Sequence, residues 1–168
     1  RIPLISATGS CAMGRRIGQV VSKRLGRCLL ELGGNNGIIV TPDADLDLVV
    51  PAVVFGAVGT TGQRCTTTRR LFLHADIYPQ VVERLKKAYA QIRIGDSLDP
   101  DTLMGPMVDQ SGVEMMLAAL EKIKSQGGEV IYGGKRLAGD KYPGGCYVEP
   151  TLVLAPPDLP IIREETFA

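Results

Sequence analysis

The cysteine at position 65 lies in a setting that suits a nucleophile. It belongs to the polar loop Gly62-Gln63-Arg64-Cys65-Thr66, which follows a helical stretch and precedes a strand-like run. The thiolate is the nucleophilic form of cysteine, and a neighbouring cation such as Arg64 favours that form. The loop alone is consistent with a reactive thiol or with an incidental loop cysteine.

A carboxylate at position 31 is the second candidate. Glu31 lies near the end of the mostly apolar run Arg27–Leu32, which leads directly into Gly33-Gly34. Because a carboxylate beside a buried strand costs free energy, it must be solvated, paired or functional. Glu31 is therefore either a salt-bridged strand end or a titratable group of an active site.

A glycine-containing turn near the start of the chain suggests an anion site. The segment Gly9-Ser10-Cys11-Ala12-Met13-Gly14 has the glycine spacing of a phosphate-binding loop, but Arg15-Arg16 replaces the Lys-Ser/Thr pair that such a loop requires. The G-x-G-x-x-G fingerprint is absent as well. A Gly-Ser turn that opens a helix still favours an anion, and an ordinary helix start is the alternative.

The elements that must position these groups begin with a βαβ-like unit. Apolar residues at helical spacing predict a helix between two strands, and the second strand has the apolar character of a buried one. Gly26 is expected to follow the helix as its C′ residue. The turn Gly33–Gly37 is the best boundary between two parts of the chain. The apolar helix positions are Met13, Ile17, Val20, Val21 and Leu25.

The remaining sequence continues to alternate between strands and helices, which predicts the α/β class. One helix is expected after a cap at Asp43 or Asp45, with Pro51 interrupting or restarting it. Two amphipathic helices follow, the first with Pro79 in its first turn and the second capped by Asp109. Strands are expected at 38–40, 70–74, 130–132 and 147–148.

Composition excludes several function classes. The 168 residues carry 19 Lys and Arg against 18 Asp and Glu, a net charge of +1, which gives no sign of a nucleic-acid or membrane-surface partner. No apolar run is long enough for a membrane span, and no signal peptide is evident, so a cytoplasmic location is expected. The four cysteines have no C-x-x-C spacing and the one histidine is His74, so no metal site is predicted.

Four motifs together resemble the aldehyde dehydrogenase family. The segment 30–35 resembles its glutamate signature, 62–65 its cysteine signature, 8–14 its cofactor turn and 165–167 its E-x-F segment, in the family's order and spacing. The Asn35-Asn36 pair and Arg64 beside Cys65 are most similar to the antiquitin-like branch. Ala7 stands where many relatives have Phe. The abrupt ends lead us to expect an internal fragment of a longer chain.

The resemblance implies a role for each matched residue. Cys65 would be the nucleophile, with its amide forming half of an oxyanion hole, and Glu31 would be the general base. NAD would be the cofactor, with NADP not excluded. Arg64 would contact a substrate carboxylate, and the alternative is a structural residue that pairs with a carboxylate of the protein. The substrate would be α-aminoadipate semialdehyde, an aldehyde of lysine breakdown. The cofactor-binding residues would be Gly9, Ser10, Gly14, Leu32, Gly33, Glu165 and Phe167.

The resemblance also implies an organisation in which residues 1–32 end a Rossmann-like NAD-binding domain and residues 33–168 form most of the α/β catalytic domain. The family's oxyanion asparagine and ribose-binding lysine would lie upstream, and the parent protein would be a homodimer or homotetramer. Three alternatives stay open: an acylating dehydrogenase that uses coenzyme A, a non-catalytic relative, and an unrelated thiol enzyme that pairs Cys65 with His74.

Overall fold

The computed structural model describes residues 2–168 and confirms an α/β fold. The chain divides into two compact units, Arg1–Gly34 and Asn35–Ala168. No helix among the described residues is long and apolar enough to cross a membrane.

The first unit is a parallel βαβ arrangement, as predicted. Strand β1 (Leu4–Thr8), helix α1 (Cys11–Lys23) and strand β2 (Arg27–Glu31) follow one another, and Thr8 pairs with Glu31 at the carboxyl ends of both strands. The prediction that β2 is buried is wrong for this unit. Its residues are mostly exposed, because only α1 packs on the two strands within the unit.

The end of α1 differs from the prediction. Leu25, not Gly26, takes the left-handed conformation, with φ of 56°. The Leu25 amide donates to the Ser22 carbonyl and the Gly26 amide donates to the Val21 carbonyl, which is a Schellman ending. Leu25 is therefore turned into solvent with 95% of its surface exposed, instead of extending the apolar face of α1.

The second unit begins with another parallel strand–helix–strand segment. Strand β3 (Asn36–Val40) pairs with β4 (Thr68–Leu73), and helix α2 (Leu46–Val58) connects them. Asp45 is the cap of α2, since its carboxylate accepts from the Asp47 amide, and Pro51 lies inside one continuous helix without interrupting it. Strand β4 begins before the predicted start at Arg70 and ends before His74.

The rest of the second unit combines two helices with two antiparallel strand pairs. Asp109 caps α4 as predicted, and its side chain accepts from the Gly112 amide. The apolar faces of α2, α3 and α4 meet in one core around Val81, Leu85 and Val113, which have 0 to 1% of their surface exposed. The elements are α3 (Tyr78–Tyr89), α4 (Gln110–Ser125), β5 (Glu129–Tyr132) paired with β8 (Leu152–Leu154), and β6 (Arg136–Leu137) paired with β7 (Tyr147–Val148).

Candidate active site

The loop that carries Cys65 is built on an unusual backbone. Thr60, Thr61 and Gly62 take left-handed conformations in succession, with φ of 54°, 53° and 70°. This conformation costs a β-branched residue on the order of 1–3 kcal/mol, so the surrounding contacts must hold it in place. The three residues turn the chain sharply between the end of α2 and the start of β4.

Side-chain hydroxyls supply the contacts that hold this turn. The buried Thr61 hydroxyl donates to the Gly105 carbonyl over 2.9 Å. The Thr67 hydroxyl, also buried, donates to the Gly62 carbonyl over 2.9 Å and accepts from the Arg64 amide over 3.1 Å. Thr67 therefore closes the loop on both sides of Gln63, and the turn has its own internal support.

Strand β3 holds the loop at Cys65 itself. The Asn36 amide group donates to the Cys65 carbonyl over 2.6 Å and to the Thr67 carbonyl over 3.1 Å. Cys65 is exposed and unpaired with any other cysteine. The result is a constrained backbone that presents an accessible thiol, which is the arrangement that a nucleophilic cysteine requires.

Arg64 is turned back towards helix α2. Its Nη2 donates to the Phe55 carbonyl over 2.6 Å, and its guanidinium lies 4.9 Å from the centre of the Phe55 ring. Its Nε is buried without a partner among residues 2–168. The substrate contact expected for Arg64 stays a prediction, and this packing favours the alternative in which Arg64 supports the loop.

Arg69 is a site residue that the sequence motifs do not identify. Its side chain is 7% exposed and donates to the Gly62, Arg64 and Thr67 carbonyls of the cysteine loop over 3.1 to 3.3 Å. The only local signal was the charged Arg69-Arg70 pair within a strand that is otherwise mostly apolar.

The same guanidinium reaches the segment 165–167 near the end of the chain. Arg69 Nε donates to the Thr166 carbonyl over 2.8 Å, its Nη1 lies 3.5 Å from the Glu165 carboxylate, and the guanidinium carbon lies 5.4 Å from the centre of the Phe167 ring. Burial lowers the pKa of Arg69, and the negative charges of Glu165 and Cys65 oppose this effect. The second unit thus brings the predicted residues Cys65, Glu165 and Phe167 into one connected region.

The first unit contains the other predicted site residues. Glu31 is exposed at the end of β2, and its carbonyl accepts from the Gly9 amide over 3.0 Å. Gly9 and Ser10 form the turn between β1 and α1, and the Ser10 hydroxyl accepts from the Met13 amide. No acidic side chain lies in the first turn of α1, so this helix end fits an anion such as a pyrophosphate.

Gly14 and Leu32 have a packing role in the same unit. Gly14 is buried in α1, and a Cβ atom at this position would collide with the Leu32 side chain. Gly33 follows Leu32 and accepts a weak hydrogen bond from the Cys11 thiol at 4.0 Å. The glycine at position 14 therefore allows close helix–strand packing behind the Gly9-Ser10 turn.

The pairing of Cys65 with His74 is not supported. His74 follows β4 whereas Cys65 precedes it, and a six-residue strand separates its ends by about 20 Å. The His74 imidazole instead lies 3.5 Å from the Asp76 carboxylate in an exposed turn. Nothing in this geometry makes His74 a base for the thiol.

Comparisons with known proteins agree with the motifs. The sequence model described as the aldehyde dehydrogenase family matches residues 1–168. The chain belongs to the aldehyde dehydrogenase family. It is 53% identical to alpha-aminoadipic semialdehyde dehydrogenase of Mus musculus and 54% identical to that of Bos taurus, in each case over 100% of this chain and 31% of the relative. The chain thus spans about a third of the length of these relatives.

Solved structures of aldehyde dehydrogenases share the fold. The crystal structure of betaine aldehyde dehydrogenase from Staphylococcus aureus in complex with NAD⁺ aligns with a TM-score of 0.95 at 29% identity. The alignment covers 99% of this chain and 33% of that one. The α/β architecture is therefore that of a part of an aldehyde dehydrogenase.

Proposed function

We propose that this chain carries the nucleophile and the general base of an NAD-dependent aldehyde dehydrogenase. The observation that carries the proposal is the accessible Cys65, presented on a left-handed turn that Thr61, Thr67 and Asn36 hold in place. Family membership over the whole chain supports the same assignment. The activity is that of the whole protein, of which this chain is the thiol-bearing part.

In the proposed reaction the Cys65 thiolate attacks the carbonyl carbon of the aldehyde. The S–C bond forms as the carbonyl π electrons move to oxygen, which gives the alkoxide of a thiohemiacetal. The constrained turn favours this step because it holds the Cys65 backbone in one conformation and so lowers the entropic cost of reaching the substrate. When bound, NAD⁺ supplies the acceptor for the hydride that leaves the adduct carbon, and a thioester of Cys65 results.

Glu31 completes the cycle in this proposal. Its carboxylate takes a proton from a water molecule, the oxygen of that water attacks the thioester, and the C–S bond breaks to release a carboxylic acid and the Cys65 thiolate. The exposed position of Glu31 at the end of β2 suits a base that works on water. A coenzyme A acceptor would need no such base.

The cofactor assignment rests on residues in both units. The Gly9-Ser10 turn and the amide end of α1 would bind the pyrophosphate, while Leu32 and Gly33 would lie near the nicotinamide. Glu165 and Phe167 would hold the nicotinamide riboside. NAD⁺ is the ligand of the Staphylococcus aureus betaine aldehyde dehydrogenase structure, which supports NAD, and NADP is not excluded.

We infer that the substrate is an amino-acid semialdehyde, namely α-aminoadipate semialdehyde. The support is the identity of 53 to 54% with mammalian enzymes named for that substrate. We likewise infer that residues 1–32 end the NAD-binding domain and that residues 33–168 belong to the catalytic domain. A cytoplasmic location and a homo-oligomeric parent protein stay predictions.

The proposal is tested by removing the thiol in the full-length protein. Cys65→Ala should abolish NAD-dependent oxidation of α-aminoadipate semialdehyde, because Cys65 is the proposed carrier of the thioester. Cys28→Ala removes another exposed thiol and should leave the rate unchanged, which makes it the matched control. Substantial turnover by Cys65→Ala would refute the assignment.

A further inference from the structure

Arg69 contacts two segments that are far apart in the sequence and close together in the second unit. On one side it binds three carbonyls of the cysteine loop, those of Gly62, Arg64 and Thr67. On the other side it binds the segment 165–167 through a carbonyl, a carboxylate and an aromatic ring. The side chain is nearly buried, so these contacts are made away from bulk water.

The guanidinium makes four hydrogen bonds to carbonyls and one ion pair with a carboxylate. The partners are the carbonyls of Thr166, Thr67, Gly62 and Arg64 and the carboxylate of Glu165. A lysine ammonium has three donors and no planar fork, so it cannot make all five contacts. The arrangement is specific for arginine at this position.

The two segments also meet directly. Gly62 has φ of 70°, and the backbone of Ala168 lies so close to it that an added Cβ would collide with the Ala168 carbonyl group. The cysteine loop and the end of segment 165–168 are therefore packed backbone to backbone, with the Arg69 guanidinium bound to both. A shift of one segment must displace the other.

We propose that Arg69 is a positioning residue that fixes the Cys65 loop and the Glu165–Phe167 segment relative to each other. The inference rests on the proposed function, in which the loop carries the thioester and the segment holds the nicotinamide riboside. Hydride transfer depends on the distance between the reacting atoms, and a misplacement of about 1 Å can slow such a step by about 100-fold. Arg69 sets that distance without touching substrate.

The first test uses Arg69→Lys in the full-length enzyme, because lysine keeps the positive charge and lacks the planar guanidinium with its five N–H groups. Rates are normalised to the number of reactive Cys65 thiols, so a loss of folded enzyme does not count. The rate of the first NADH turnover per thiol should fall by about 10- to 100-fold, and the dissociation constant for NAD⁺, measured by fluorescence quenching, should rise. Arg84→Lys, at an exposed ion pair with Asp47, is the matched control and should change neither quantity.

The second test needs neither cofactor nor turnover. Glu165→Gln alters the segment 165–167, and the rate of Cys65 alkylation by iodoacetamide is measured in the enzyme without NAD⁺. Coupling through Arg69 predicts at least a threefold change in that rate. An unchanged alkylation rate, or an Arg69→Lys enzyme with first-turnover rate and NAD⁺ affinity within twofold of the wild type, would overturn the proposal. The proposed function has its own separate test in Cys65→Ala.

Discussion

At the scale of single residues, the direction of the Arg64 side chain bears on how the site recognises its substrate. The sequence predicts a contact between its guanidinium and a substrate carboxylate, whereas the structure directs that group to the Phe55 carbonyl and ring. An arginine whose Nη2 binds the Phe55 carbonyl would support the loop instead of discriminating between aldehydes. The two accounts predict different substrate dependence.

Arg64→Ala is therefore expected to lower kcat/KM equally for α-aminoadipate semialdehyde and for a neutral aldehyde of similar length. Loss of the hydrogen bond and of the ring contact should also lower the free energy of unfolding by about 1–2 kcal/mol. Steady-state kinetics on both aldehydes and denaturant unfolding measure these effects. A fall in kcat/KM for the carboxylate-bearing aldehyde alone would support a direct contact between Arg64 and the substrate.

Residues with local signals could be predicted from the sequence, and residues with distant partners could not. The thiol loop and the Asp109 cap are recognisable because short segments define them. Arg69 gives almost no local signal, since one of its main partners, the Thr166 carbonyl, is 97 residues away. The direction of the Arg64 side chain likewise depends on its partner Phe55 in α2. The sequence of the cysteine loop alone does not reveal that partner.

At the scale of elements, the link between strand β3 and the cysteine loop is open to a direct test. The Asn36 side-chain Nδ2 donates to two carbonyls, and a carboxylate in its place has no N–H group to donate to them. Asn36→Asp should therefore displace the loop, at a cost of about 1–3 kcal/mol, and slow the first NADH turnover by about 10- to 100-fold. Stopped-flow absorbance measures that turnover.

Asn36→Ala provides the comparison, because it removes the donors without adding a charge. Its first turnover should be slowed less than that of Asn36→Asp. If both variants turned over at the wild-type rate, the anchoring of the loop by β3 would have no part in presenting Cys65.

The contact between helix α3 and strand β5 predicts how stability changes in alkaline solution. Burial raises the pKa of Tyr89 to about 12, and its ring meets Tyr132 edge-on at 5.9 Å. Since an unfolded tyrosine has a pKa of about 10, Tyr89 stays protonated to a higher pH in the folded state than in the unfolded state. The free energy of unfolding should therefore be unaffected by Tyr89 below pH 10 and should fall by about 1.4 kcal/mol per pH unit between 10 and 12.

Tyr89→Phe lacks the titrating hydroxyl and should lose less stability over that interval than the wild type. Denaturant unfolding at pH 9 and pH 11 provides the measurement, and Tyr142→Phe, at a less buried tyrosine, is the control. Identical pH dependence in Tyr89→Phe and wild-type protein would contradict this account of α3.

Element boundaries show the limit of sequence patterns in a similar way. Apolar spacing identified α1, α3 and α4, because each buries one face against the rest of its unit. The pattern placed Leu25 on the apolar face, whereas the backbone reversal at that residue turns it into solvent. The short strands β6 and β8 could not be predicted, because a strand of two or three residues is too short to show an alternating pattern.

At the scale of the whole molecule, apolar side chains on both units face solvent. Leu29 of β2, Ile39 of β3 and Phe72 of β4 have 55%, 78% and 47% of their surface exposed. The 168-residue chain expressed alone should therefore bind a hydrophobic dye and self-associate. Dye fluorescence and size-exclusion chromatography test this, with Leu29→Lys/Ile39→Lys expected to weaken both effects. A monodisperse chain that binds no dye would contradict the prediction.

The central claim is that Cys65 carries an acyl group which Glu31 releases. The measurement is acid-quench mass spectrometry of full-length Glu31→Gln mixed with NAD⁺ and α-aminoadipate semialdehyde. We predict a burst of NADH followed by very slow turnover, and a Cys65 peptide heavier by the mass of the acyl group, because hydride transfer proceeds while hydrolysis is blocked. A uniformly slow first turnover, with no acyl group on Cys65, would contradict the account.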